Sequence, residues 1–206
     1  MDLVIATRSP GKLAEIRAIF GVVPGLRVVD LGGAGIAYEP AEDHLEPHET
    51  FEENAVSKAS FFHALCGLPT VADDSGLEVD ALGGEPGVRS KRFAPDADAR
   101  GKDVDEANTQ HLLRALEGVP PNRRGARFVC VAALVEADRP PGVFRGEAPG
   151  FILDAERGDR GFGYDPVFLD PELGRTFAEL SPEEKNGRSH RGRAFRALAA
   201  HLARRS

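Results

Sequence analysis

Carboxylates and ammonium groups recur in this sequence where a globular chain does not place them without cause. Asp73 and Asp74 are adjacent, follow the apolar pair Val71-Ala72, and precede Ser75-Gly76. Two carboxylates at the end of a buried strand are costly unless positive charge lies near them. Reactive groups of α/β proteins gather at strand ends. A hard divalent cation with oxygen ligands is the simplest partner, and Mg2+ suits phosphate chemistry. The same residues also make a good tight turn. Glu46 lies in an acidic loop ahead of a segment carrying Lys58, and both are candidates to converge on Asp74. Taken alone, that stretch reads as an acidic helix start, which the helix dipole favours.

Three further segments carry donors. Thr7-Arg8-Ser9-Pro10-Gly11-Lys12 joins an apolar strand to a helix. A helix N-terminus offers free N–H groups and a positive dipole end to an anion. Thr7 and Ser9 add hydroxyls and Lys12 adds a cation. Neither GxxxxGK[ST] nor GxGxxG is present, so the turn is neither a Walker loop nor a dinucleotide fingerprint. Phosphate binding and a plain strand–helix turn are equally good readings of it. Gly161-Phe162-Gly163-Tyr164-Asp165-Pro166 sets glycines around aromatics, which lets a flat ligand approach Phe162 or Tyr164. The alternative is a turn whose aromatics pack in the core. Lys185 and Ser189-His190-Arg191-Gly192 supply donors just before a helix, or else form an exposed basic patch.

The elements that must position these groups follow from hydrophobic spacing. Leu3–Ala6 is a short strand; Leu13, Ile16, Ile19 and Phe20 make one helical face. Leu26–Leu31 is a second strand and 32–48 a loop. Thr50 caps a helix that runs to about Leu65, with Ala55, Ala59, Phe62 and Leu65 facing inward, and Glu53 completes a capping box. Thr70–Ala72 is a strand ending at Asp73. Residues 76–101 are loop with a short strand over Leu77–Val79. Glu106–Leu116 is an amphipathic helix. Arg127–Val135 and Val143–Gly146 form a β-pair, and Pro166–Leu169 is another strand. Ser181-Pro182 starts a helix, and Gly192–Ala203 is the last. Alternating strands and helices with a β-rich centre indicate an α/β or α+β fold with a mixed sheet.

Composition narrows the function. The chain has 206 residues, of which 41% are hydrophobic and 29% charged, enough for a substantial core. No apolar run approaches the roughly 18 residues of a membrane helix, and no secretory signal is expected, so the location expected is cytoplasmic. With 33 acidic and 26 basic residues the net charge is −7, which argues against long nucleic acid as a partner. Only five of the cations are lysine, and three of them, Lys12, Lys58 and Lys185, fall in the segments above. Cys66 and Cys130 are far apart and read as free thiols in a reducing compartment.

In their order, the stretches ATRSPGK, TFEENAVSKA, ADDSGLEVDALGGEPGV, GFGYDPVF and AEL-to-SHRGRA resemble the inosine triphosphate pyrophosphatase family, from residue 3 to about residue 200. The resemblance implies an elongated two-lobed α/β protein, one domain over 1–206. It has a central mixed β-sheet flanked by helices and a cleft between the lobes. It implies a homodimer, and Mg2+-dependent hydrolysis of ITP, dITP and XTP to the monophosphate and pyrophosphate. Position by position, Asp74 matches the proton acceptor and a metal ligand, and Glu46 the other metal-site carboxylate. Thr7 through Lys12 match the phosphate-binding turn. Ser75 matches a substrate contact, and Lys58 is expected near the triphosphate. Phe162, Gly163, Tyr164 and Asp165 match base- and sugar-side contacts. Lys185, His190 and Arg191 match residues closing over the purine. Ser9 departs from the family, which usually has Asn there. Donors from Lys185 or His190-Arg191 would pair with a 6-oxo group and be left unpaired by the amine of ATP. A Maf-type nucleotide pyrophosphatase and a non-catalytic nucleotide-binding module are the competing readings. GFGYDP and SHRG argue against the first and the carboxylates against the second.

Overall fold

Leu3, Val4 and Ile5 are buried in strand β1, Asp2–Ile5, which has a parallel neighbour on each side. The computed structural model describes residues 1–21, 23–95 and 102–205, the side chains of 102 and 103 apart. The end of the expected 76–101 loop, at 96–101, lies outside the described residues. Strand β2, Arg27–Asp30, pairs Val28 with Leu3; strand β3, Thr70–Val79, pairs Val71 with Ile5. The sheet has seven strands in the order β2-β1-β3-β4-β5-β6-β7. The remaining strands are β4 (Gly125–Val135), β5 (Gly142–Ile152), β6 (Phe168–Asp170) and β7 (Arg175–Thr176). Antiparallel pairing of β5 with β6 and of β6 with β7 makes the sheet mixed. Among the described residues, five helices flank it: α1 (Pro10–Phe20), α2 (Phe51–Cys66), α3 (Lys102–Ala115), α4 (Pro182–Arg188) and α5 (His190–Ala203).

The chain divides into two compact units, each with its own core. The first comprises Met1–Asp74, Cys130–Gly146 and His190–Ser206. Its core joins Leu3 and Ile5 of β1, Ile16 and Phe20 of α1, and Phe195, Leu198 and Leu202 of α5. Phe20 meets Phe195 edge-on at 5.7 Å between ring centroids, a favoured aromatic geometry. Gly146 of β5 lets α5 approach closely: a Cβ there would run into the His190 carbonyl and the Ala194 amide. The second unit comprises Ser75–Val129 and Glu147–Ser189. Leu77, Leu112, Leu116, Phe128, Phe168 and Phe177 centre its core. Arg124, nearly buried, donates to the carbonyls of Leu116, Val119 and Leu153, holding the end of α3 to the chain beyond β5.

Several expectations are corrected. Thr70–Ala72 does not end at Asp73: β3 continues through Asp73-Asp74-Ser75-Gly76 to Val79. The turn composition yields because both carboxylates acquire partners within the fold. Leu65 does not face inward but is 58% exposed. It lies in the last turn of α2, one residue before the helix ends at Cys66, although it shares a helix face with the buried Asn54. α1 begins at Pro10, inside the stretch read as a turn, because the Ser9 hydroxyl caps it. α5 begins at His190 and β5 runs on to Ile152, both beyond their expected ends.

Candidate active site

In the first unit, Asp73 and Asp74 do not act as a pair. Successive strand residues point to opposite faces, and the two carboxylates accept hydrogen bonds from different groups. The Asp73 carboxylate is buried. It accepts from the Lys12 ammonium at 3.0 Å and from the Arg191 guanidinium at 3.3 Å. Arg191 also reaches Glu15 at 2.7 Å, and the Cys130 thiol donates to Asp73 from 3.9 Å. These cations outweigh burial and hold the Asp73 carboxyl far below the usual carboxylate range. Burial, and after it the negative charge of Asp73, push the Cys130 thiol up against the opposing charges of Arg191 and Lys12, so it stays protonated.

Asp74 is the opposite case. Burial and the negative charge of Glu46 raise its pKa, against the opposing charges of Lys58 and Lys12 and a hydrogen bond from Asn54 at 3.0 Å. Asn54 also accepts from the His48 amide at 2.8 Å, so it ties α2 both to the preceding loop and to Asp74. The Lys58 ammonium bridges the Glu46 carboxylate and the Asp73 carbonyl oxygen, the latter at 2.5 Å. Lys58 is held protonated despite burial because Glu46, Asp73 and Asp74 all lie near it. Asn54 and Lys58 are four residues apart on α2, hence on one face. That spacing is the signal that would have found Asn54 in TFEENAVSKA.

The phosphate-turn candidates resolve unevenly. Thr7 Oγ1 accepts from the Ser9 amide at 3.2 Å, and Ser9 Oγ accepts from the Lys12 amide at 3.4 Å, so the Ser9 hydroxyl serves as helix cap. Arg8 leaves the turn: its guanidinium donates to Glu42 at 2.7 Å and to the Ile36 carbonyl at 3.2 Å. Pro10 and Gly11 form the first turn of α1, and the Lys12 side chain is buried against Asp73. The Arg191 guanidinium donates to Asp73 and to Glu15. His190 is buried at the start of α5.

Ser75 opens the second unit, half-buried. There the Gly161–Asp165 turn is tightly built. The Asp165 carboxylate accepts from the Phe162 amide at 2.9 Å and from the Lys185 ammonium at 2.6 Å. Gly161 has φ +77°, and a Cβ there would strike that carboxylate. Lys185 lies 4.5 Å from the Phe162 ring centroid, a cation–π distance. Phe162 is therefore the aromatic candidate for a base. Tyr164 instead lies in the core, and its hydroxyl donates to the Ser90 carbonyl at 2.8 Å.

Among the described residues no three His, Cys, Asp or Glu side chains cluster as a metal site. Glu46 and Asp74 still fit Mg2+, which takes one or two carboxylates and completes its shell with water and phosphate oxygens. The fit rests on Asp74, whose charged form is disfavoured by burial and by Glu46. A divalent cation offsets both.

The Ham1 family model matches residues 3–201. The dITP/XTP pyrophosphatase of Geobacillus kaustophilus is 46% identical to this chain, over 96% of it and 92% of its own length. That of Frankia alni is 48% identical over 98% and 97%. A solved HAM1 protein from Coxiella burnetii superimposes with TM-score 0.85 at 37% identity, covering 99% of both chains. The Staphylococcus aureus Ham1 protein gives 0.82 at 38% identity, with both chains fully covered.

Proposed function

The chain belongs to the Ham1 family, and from that membership we propose what its site does. The protein hydrolyses non-standard purine nucleoside triphosphates, dITP, ITP and XTP, to the monophosphate and pyrophosphate. The observation that carries the reading is Asp74: a buried carboxylate, raised above its usual range, beside a second carboxylate and a lysine. Asp74 accepts the proton of the attacking water as its oxygen bonds to the α-phosphorus. The α–β bridging bond breaks, and the electron pair leaves with pyrophosphate.

Glu46 and Asp74 would hold Mg2+, which when bound supplies charge neutralisation on the phosphates and a fixed position for water. Lys58 favours the ionised carboxylates and offsets part of their negative charge when no metal is present. Lys12 and the amides that open α1 serve the triphosphate. Phe162, Asp165 and Lys185 serve the base and sugar. The proposal includes a homodimer in the cytoplasm, supported by the family likeness; sedimentation at a single chain's mass would remove the dimer. No helix among the described residues is long and apolar enough to cross a membrane.

The test is a panel of dITP, XTP, ITP, GTP, ATP and dTTP with Mg2+, measuring monophosphate and pyrophosphate. The deaminated purines should be consumed far faster than ATP or dTTP. Asp74→Asn should keep its fold and lose turnover by several orders of magnitude. Near-normal turnover in that variant removes Asp74 from the role of base.

A further inference from the structure

The turn that presents Phe162 is fastened from outside by a residue that none of the motifs contains. Asp105, on α3, accepts a hydrogen bond from the Gly163 amide at 2.8 Å. One turn further along α3, Thr109 donates to the Gly163 carbonyl at 3.5 Å. Both polar groups of one peptide residue are thus taken by a single helix. Gly163 has φ +59°, a conformation that side chains other than glycine rarely adopt. A backbone in that state keeps its place only when its neighbours define it. Asp165 defines one side of the turn through the Phe162 amide, and Asp105 defines the other.

α3 is itself anchored. Asn108 accepts from the Ala94 amide at 2.8 Å, and His111 packs edge-on against Phe93 at 4.8 Å. The same 87–94 stretch carries Ser90, whose carbonyl holds the Tyr164 hydroxyl and whose own hydroxyl accepts from the Leu77 amide of β3 at 2.8 Å. Two routes therefore run from rigid elements into adjacent residues of the turn: α3 to Gly163, and β3 through Ser90 to Tyr164. Phe162 precedes both, half-buried, with the Lys185 ammonium over its ring.

We propose that Asp105 is a positioning residue for base recognition: by fixing the Gly163 peptide it sets the plane in which Phe162 meets the purine. This rests on the reading of Phe162 as the base contact. Asp105 touches no substrate, so its loss should affect binding and selectivity more than the chemical step.

The experiment compares Asp105→Ala, Asp105→Asn and Phe162→Ala with the parent protein, using dITP and ATP and following thermal unfolding in parallel. Asp105→Ala should raise KM for dITP about two- to ten-fold, the range of one net hydrogen bond. It should leave kcat within about two-fold and narrow the dITP-to-ATP preference. Asp105→Asn keeps a side-chain oxygen as acceptor and should recover most of the KM and selectivity. If Phe162→Ala raises KM and Asp105→Ala does not, the proposal is overturned while the base-contact reading stands. If Phe162→Ala changes neither KM nor selectivity, the base-contact reading falls and the proposal with it. A fall in kcat and unfolding temperature at unchanged KM and selectivity, or no recovery in Asp105→Asn, assigns Asp105 a structural role and also overturns the proposal.

Discussion

Asp73 and Asp74 are neighbours in sequence and opposites in chemistry. Asp73 is held below the ordinary carboxylate range by Lys12 and Arg191. Its contribution to stability is therefore fully present above about pH 4 and is lost as the pH falls below it. Asp74 is held above that range by burial and Glu46, so it carries a penalty at neutral pH that is relieved as the pH falls through its raised value. In metal-free protein, Asp73→Asn should cost on the order of 3 kcal/mol at pH 7, because it leaves buried cations uncompensated. It should also flatten the loss of stability below pH 4. Asp74→Asn should leave stability at pH 7 unchanged or raised. Urea unfolding of both variants across pH 3 to 8 checks this, and equal destabilisation by the two would contradict it. The sequence identified both aspartates as costly but read them as one pair. What it could not supply was the partners: Glu15 and Arg191 are 176 positions apart and meet only in the fold. Asn54 was within reach of sequence reasoning through its spacing from Lys58, and Asp105 was not, since nothing local links it to Gly163.

Among elements, those with a strong local signal were legible. The apolar stripes of α1 and α2 and the caps at Thr50 and Ser181 stand close to where spacing and capping chemistry put them. The errors fall where tertiary contacts overrode local preference. β3 runs through a turn-like Asp-Asp-Ser-Gly because Lys12, Arg191 and Asn54 satisfy its carboxylates. The contact of β5 with α5 depends on one missing side chain. Gly146→Ala would force the methyl into the His190 carbonyl and Ala194 amide. Overpacking of this kind costs about 1–3 kcal/mol. Because His190 and Arg191 open α5, the variant should also lower activity. Thermal unfolding with an activity measurement on the same sample tests it; unchanged values for both would show that the strand and helix adjust freely.

For the whole molecule, an acidic chain of net charge −7 takes a polyanionic substrate. General attraction cannot bring the two together, so local charge must. The buried cations are already committed: Lys12 and Arg191 to Asp73, Lys58 to Glu46. On the proposed Mg2+ dependence, added divalent charge would serve binding as well as turnover. Thermal shift by dITP should therefore be large with Mg2+ and nearly abolished by a chelator, while the unfolding temperature without nucleotide changes little. A full shift in the presence of chelator would show that the protein's own cations suffice.

The central claim is that water attacks the α-phosphorus of a deaminated purine nucleoside triphosphate, with Asp74 as the base. Hydrolysis of dITP in 18O-labelled water, followed by mass analysis of both products, tests it directly. Attack at the α-phosphorus places one labelled oxygen in the nucleoside monophosphate and none in pyrophosphate, with no formation of diphosphate or orthophosphate. Label in pyrophosphate, or release of orthophosphate with a nucleoside diphosphate, would contradict it.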